Sequence, residues 1–560
     1  MLCTLVVFDL AIPRLVQRII DQGIGQHDRG LVVRTSLLML GVSLLSALVA
    51  IGNNLTSVRV GEGVARDLRR ALFAKIQSLS YGNLDRQQTG QLLVRLTSDV
   101  NAIKGLVQIS LRIGTRAPLM MVGSLLLMVS TSRHLALLLT PLLLVTTLLI
   151  AFFVTKTEPL FRQVQLKLDA LNGVLQENIA GARLVRSLVR SERELERFGV
   201  ANGELTERSV AVTQFSSTMM PALTMCINIG TVLVIWAGGL DAVHGKLTLG
   251  QIVAFANYLL STMTPLIMMT MLSNFWAAGF ASLRRVEDVL NTAPEIVDAP
   301  NARMLPPSSS AEVSLSDVSF SYRAGVASLG EPVLQDIALS AKAGQMIAIL
   351  GATGVGKSTL VNLIPRFYDV TAGALRVQGQ DVRELQQASL LDHIAIVPQE
   401  ALLFSGTVRD NIAFGKPSAT DAEVEAAARA AQAHEFIARL PLGYEAPVAP
   451  RGANFSGGQR QRLCIARALV LAAPILILDD STSAVDIETE GKIQDALRAS
   501  QGRGTLFVVA QRISSVLRAD RIVVLDQGRV VADGTHAELL ANSPIYQEIY
   551  ESQLGAGVDA

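Results

Sequence analysis

The residues best suited to chemistry form one short run: Gly351, Ala352, Thr353, Gly354, Val355, Gly356, Lys357, Ser358 and Thr359. They follow an apolar run, 346–350, and open onto a stretch that reads as a helix. A strand, a glycine-rich loop and a helix in that order make a phosphate cradle. Gly351, Gly354 and Gly356 let backbone N–H groups close round phosphate oxygens, and the helix start adds positive potential. Lys357 is placed to reach the β- and γ-phosphates of a nucleoside triphosphate such as ATP, and Ser358 to ligate Mg²⁺. Thr353 and Thr359 belong to the same cradle. A second apolar run, 474–478, ends in Asp479 and Asp480. A strand that buries itself and ends in aspartate would present Asp479 to the same metal ion.

Such a site needs an α/β sheet to hold it, and only part of the chain can supply one. The chain has 560 residues, more than one core accommodates, so at least two domains are expected. Hydrophobic residues make up 50% and charged residues 17%, and mean hydropathy is +0.39, which points to a membrane protein. A formal net charge of +1 gives no sign of a nucleic-acid partner. Cys3, Cys226 and Cys464 have no metal-ligand or redox spacing and read as reduced thiols. Long apolar runs crowd residues 1–290, alternating strands and helices fill 312–555, and 291–311 reads as a linker.

A membrane helix needs ~20 apolar residues. Runs at 31–53, 117–132, 135–154, 221–239 and 252–272 qualify, the second and third forming a tight hairpin. A sixth candidate starts at Met1, where the apolar part is too short to span and Asp9 interrupts it, so the chain start is expected to lie inside a first membrane helix. The connections 58–116 and 156–216 are far longer than loops need. They read as amphipathic helices, and Arg66, Arg69, Arg70, Lys75, Arg183, Arg186, Arg190 and Arg193 place them on the cytoplasmic side. Asn228 sits in an otherwise apolar span, either lining a path or holding helices together.

The segment Asn454 to Arg462, with Ser456, Gly457, Gly458 and Gln459 at its centre, resembles the signature motif of ABC transporters. Tyr322 resembles the family's adenine-stacking aromatic, Gln399 its Q-loop glutamine and Asp486 its D-loop aspartate, and residues 73–100, including 85–90, resemble the first cytoplasmic loop of its exporters. The resemblance covers nearly the whole chain. It implies a membrane all-α six-helix exporter domain with long cytoplasmic helical extensions, followed by a P-loop α/β ABC ATPase domain. It implies Mg²⁺ held by Ser358, Gln399 and Asp479. It also implies two chains facing head to tail, so that residues 456–459 meet the ATP held by a second half-transporter. The expected setting is a bacterial inner membrane, with a hydrophobic or amphipathic cargo (drug, lipid or peptide).

Two positions depart from the family pattern. Asp480 stands where a catalytic Glu is usual, one methylene shorter, and Gln511 stands where a His switch is usual. Gln can hydrogen-bond a γ-phosphate but carries no proton charge. The segment 446–452 also lacks an acidic residue common near position 450. Benign variation and slow hydrolysis both stay open. An intact signature beside an altered base resembles the degenerate-site subunit of heterodimeric multidrug or lipid exporters. A homodimer with two slow sites and an ATP-gated channel or regulatory subunit are the rival readings.

Overall fold

A computed structural model describes residues 1–306, 311–322, 332–501 and 504–554. The stretch 307–310 of the expected linker lies outside the described residues. The chain divides into two compact units, residues 1–77 with 89–292, and residues 78–88 with 293–560.

The first unit is helical. Among the described residues, five helices are long and apolar enough to cross a membrane: Arg29–Gln77, Thr89–Thr131, Arg133–Ala180, Ser191–Val243 and Leu249–Met269. The five apolar runs of the sequence fall on these helices, 117–132 and 252–272 running slightly past their ends. The helix Arg29–Gln77 has 49 residues. At ~1.5 Å per residue that is about 73 Å, more than twice the ~30 Å of hydrocarbon. One continuous helix therefore serves as membrane span and extension. The helix Arg133–Ala180 does the same with Pro141 and Pro159 inside it. Its start is fixed by extended Ser132, whose hydroxyl accepts from the Leu135 N–H. Large apolar side chains point outward along these helices; Leu40 is 67% and Leu137 73% exposed. Surfaces of this kind are stable only against lipid or another chain.

The candidate at the chain start forms a helix, Leu2–Arg18, continued by a π-helical turn, Ile19–Ile24. The Asp9 that interrupts its apolar run is neutralised: Arg116 donates to its carboxylate at 2.5 Å and Ser46 at 3.2 Å. A charge among apolar helices persists only with such partners. At the other end of this element, Asp21 accepts from Thr248 Oγ1 and the Gly250 N–H, at 2.6 and 2.9 Å, and so caps the helix Leu249–Asn291.

Two larger sheets carry the second unit, beside a short two-stranded pair of 406–407 with 447–448. Four strands, in the order 334–341, 313–320, 372–377 and 380–381, form an antiparallel sheet. Six form the other, in the order Arg529–Gly534, Arg521–Asp526, Met346–Leu350, Thr505–Val509, Ile475–Asp479 and Ile394–Val397. All neighbours in the larger sheet are parallel except the first pair. Every residue of Met346–Leu350, Ile475–Asp479 and Thr505–Val509 is buried. Unbroken apolar runs are what a parallel sheet covered on both faces demands. The strand register sets Ile349, Val509 and Asp479 in one row. The carboxyl ends of three strands thus come level, and ligands of open parallel sheets bind there.

Residues 78–88 belong to this unit although the sequence runs them between membrane helices. The short helix Tyr81–Asp85 packs its Tyr81 ring on Phe367 at 4.1 Å, and Tyr368 donates to the Asp85 carboxylate. The described end of the linker is also held: the Leu305 N–H donates to Ser389 Oγ at 2.9 Å and its side chain is buried.

Candidate nucleotide site

The phosphate loop leaves Leu350 and ends at the helix Lys357–Leu363. Gly354 and Gly356 have φ of +88° and +99°. The backbone angle at Gly356 calls for glycine, and a β-carbon there would also crowd the Val333 carbonyl at 3.1 Å. Lys357 Nζ donates to the loop's own carbonyls, at 2.8 Å to Gly351 and 2.7 Å to Ala352. Burial pulls the Lys357 ammonium below its usual value, while the Asp480 and Asp479 charges oppose this. The lysine is thereby held at the loop mouth.

Ser358 Oγ donates to Asp479 Oδ1 at 2.8 Å, which unites the metal ligands expected from two separate motifs. Asp479 is 5% exposed, and burial, with the neighbouring Asp480 charge, pushes its carboxyl up against the Ser358 hydrogen bond. A hard oxygen pair whose charge is poorly compensated is chemically suited to Mg²⁺. Tyr322 OH lies 2.9 Å from Thr359 Oγ1, and its ring meets Tyr368 edge to face at 5.2 Å.

Asp480 is the convergence point of the altered side. Gln511 Nε2 donates to Asp480 Oδ2 at 3.0 Å and Gln399 Nε2 approaches the same oxygen at 3.5 Å. The three residues follow three neighbouring strands of one sheet. Asp480 has φ of +45°, the left-handed region, where a short polar side chain is better tolerated than a longer one. Burial pushes its carboxyl up, opposed by Lys357 and Arg512.

The signature segment is a helix start. Ser456 caps the helix Gly457–Leu469: its Oγ accepts from the Gln459 N–H at 3.3 Å and its own N–H donates to Gln459 Oε1 at 2.9 Å. Gly458 runs close to the D-loop, where a β-carbon would lie 2.8 Å from the Ala484 carbonyl. Gln461 fixes that contact, accepting from the Ala484 N–H at 3.0 Å and donating to Ser483 Oγ at 3.2 Å. Asp486 Oδ1 accepts from the Thr489 N–H at 2.9 Å, which holds its carboxyl below the usual range. Among the described residues, no hydrogen bond of 456–459 reaches the phosphate loop of the same chain. Tyr368 carries no motif that sequence reading could have singled out; Gln461 lies inside the signature segment and Tyr81 inside the first cytoplasmic loop, but neither segment announces the contacts these two side chains make.

ATP-driven transport across a membrane is the class that these two units define together. The chain belongs to the ABC transporter family, as an exporter-type half-transporter with fused membrane and ATPase parts. Residues 3–266 match the family model for the ABC transporter transmembrane region and residues 334–483 the one described as ABC transporter. The ABC transporter ATP-binding protein YfiB of Bacillus subtilis is 37% identical over 547 residues, 98% of this chain and 94% of that one. The ATP-dependent lipid A-core flippase of Syntrophus aciditrophicus is 37% identical over 495 residues, 88% of this chain and 81% of that one. A bacterial Atm1-family ABC exporter with ATP bound superposes with a TM-score of 0.82 at 27% identity, covering 99% of this chain and 96% of its own. The family's exporters are membrane-embedded dimers that bind ATP in a cytoplasmic ATPase domain.

Proposed function

We propose that the chain is one half of a two-chain exporter in a bacterial inner membrane, whose own site binds MgATP and turns it over slowly. The observation that carries this reading is the Asp480 carboxylate, one methylene short of the usual Glu and held by the amide of Gln511 at 3.0 Å. A base engaged by a neutral amide, and short by ~1.5 Å of reach, is poorly placed to take a proton from water. Tyr322 stacks on adenine, while Gly351, Thr353, Gly354, Gly356, Lys357 and Thr359 hold the phosphates. Ser358 and Asp479 hold Mg²⁺ with Gln399 nearby, and the ion would neutralise charge on the phosphates when bound. The capped helix start at Ser456, with Gly457, Gly458 and Gln459, completes the partner's site, and Asp486 belongs to the D-loop between the two.

The cargo is a lipid or another amphipathic molecule. Two features favour it: the lipid A-core flippase relatives, and a groove of about 730 Å³ on the helix Met219–Val243, where Asn228 interrupts an apolar wall that includes Met220, Met225 and Val232. Polar groups set in an apolar wall suit such ligands. Chain-by-chain photolabelling with 8-azido-ATP tests the reading: γ-phosphate label persists on this chain and is lost from its partner. Equal loss from both would overturn it. A homodimer with two slow sites is the second reading, favoured by a complete phosphate loop and a complete signature on one chain, and a stable, active dimer from this chain alone would establish it.

A further inference from the structure

The last described helix, Pro544–Leu554, reaches back to the altered site. Its anchor is Tyr546, fully buried in the ATPase core, with its hydroxyl 2.7 Å from His536 Nδ1. Two turns further on, one side chain makes two bonds to one strip of backbone. Gln553 Oε1 accepts from the Ile513 N–H at 2.8 Å, and Gln553 Nε2 donates to the Gln511 carbonyl at 2.9 Å. A primary amide is the side chain that can accept from one peptide and donate to the next but one. The bracket spans residues 511–513. It engages the Gln511 backbone and leaves the Gln511 side chain to reach Asp480. On the far side, Arg512 Nη2 donates to the Ser483 carbonyl at 3.1 Å, so the segment is held from the C-terminal helix and from the D-loop.

From this geometry we infer that Gln553 is a positioning residue of the ATP site, holding the switch segment at the distance from which residue 511 can meet Asp480 and the γ-phosphate. The C-terminal helix is then part of the hydrolytic apparatus. The assignment rests on the reading of Asp480 and Gln511 given above.

The test uses the full transporter in nanodiscs, with Q553A, Q553E, Q511A and the Q511A/Q553A double variant. Hydrogen exchange reads the bracket directly, because the Ile513 N–H has Gln553 as its acceptor. Exchange across 511–516 rises about tenfold or more in Q553A. Q553E keeps the acceptor for Ile513 and so protects that amide while losing the donor to Gln511. Photolabelling with 8-azido-ATP reads the chemistry on this chain alone. Q553A slows loss of the γ-label by about tenfold, the order that sub-ångström misplacement produces, with the α-label unchanged, and has no further effect on Q511A. Unchanged exchange at 511–516, a parallel fall in α-label, or a full effect in the Q511A background would overturn the assignment. If Q553A behaves as stated while Asp480→Asn abolishes overall turnover, the positioning role stands and the slow-site reading falls.

Discussion

Gln511 donates its side-chain amide to Asp480 Oδ2 at 3.0 Å, so the two residues that depart from the family pattern are partners. They stand 31 positions apart in sequence and are brought level by adjacent parallel strands, with Val509 opposite Asp479. A change at one therefore alters the setting of the other. Asp480→Glu together with Gln511→His is expected to speed γ-phosphate loss at this chain's site by about tenfold or more, and neither single change does so. The left-handed backbone at position 480 charges the longer side chain a stability penalty of about 1 kcal/mol, visible as a lower melting temperature. A double variant no faster than wild type would mean that other residues limit the site.

Ser456→Ala removes the cap of the signature helix, a loss of about 1 kcal/mol locally. Its larger effect is expected in trans. Overall ATPase activity falls at least tenfold while 8-azido-ATP still labels this chain, because in the proposed function the Ser456 hydroxyl serves the partner's nucleotide. Loss of labelling on this chain instead would place the serine at its own site.

Asp479 yields a prediction of opposite signs. Burial pushes its carboxyl up, with the Asp480 charge adding to it. A carboxyl whose folded pKa lies above the unfolded one costs stability once pH exceeds the unfolded value, and the cost grows until pH passes the folded pKa. Asp479→Asn removes that cost at neutral pH, so the nucleotide-free protein melts a few degrees higher, at ~2–4 °C per kcal/mol for a domain this size. The same variant loses Mg²⁺-dependent ATP binding. Lower apo stability would show that the Ser358 bond outweighs burial.

The Tyr81 ring lies on Phe367 at 4.1 Å, in a segment whose sequence neighbours are membrane helices. Such a stack contributes about 0.5–1.5 kcal/mol. Tyr81→Ala is expected to raise hydrogen exchange across 78–88 and to reduce cargo-stimulated ATPase activity several-fold while basal activity persists. Cargo stimulation that survives intact would remove the segment from the coupling route.

The features legible in the sequence were those that a short stretch encodes by itself. Gly351 to Thr359 specify their own turn and helix start, and the apolar run before Asp479 specifies a buried strand. The five long apolar runs each lie in one helix. What the sequence hid depends on residues far apart along the chain. Nothing near Asp9 announces Arg116, 107 positions on, as its counter-charge. The approach of Tyr368 to Asp85, across 283 positions, follows from how residues 78–88 pack on the ATPase unit. The positive φ of Asp480 is likewise a product of tertiary packing, and a local propensity would not have suggested it. Pro141 and Pro159 lie inside one continuous helix, Arg133–Ala180, that joins the apolar run 135–154 to the connection after it.

Whether Asp480 is the base on which the transporter's turnover depends is measured most directly by the steady-state ATPase activity of the transporter, isolated through a tag on this chain and carrying Asp480→Asn. The expected rate stays within about twofold of wild type, because in the proposed function the partner's site carries the flux. A loss approaching ~10²-fold, the size expected when a required general base is removed, would contradict it.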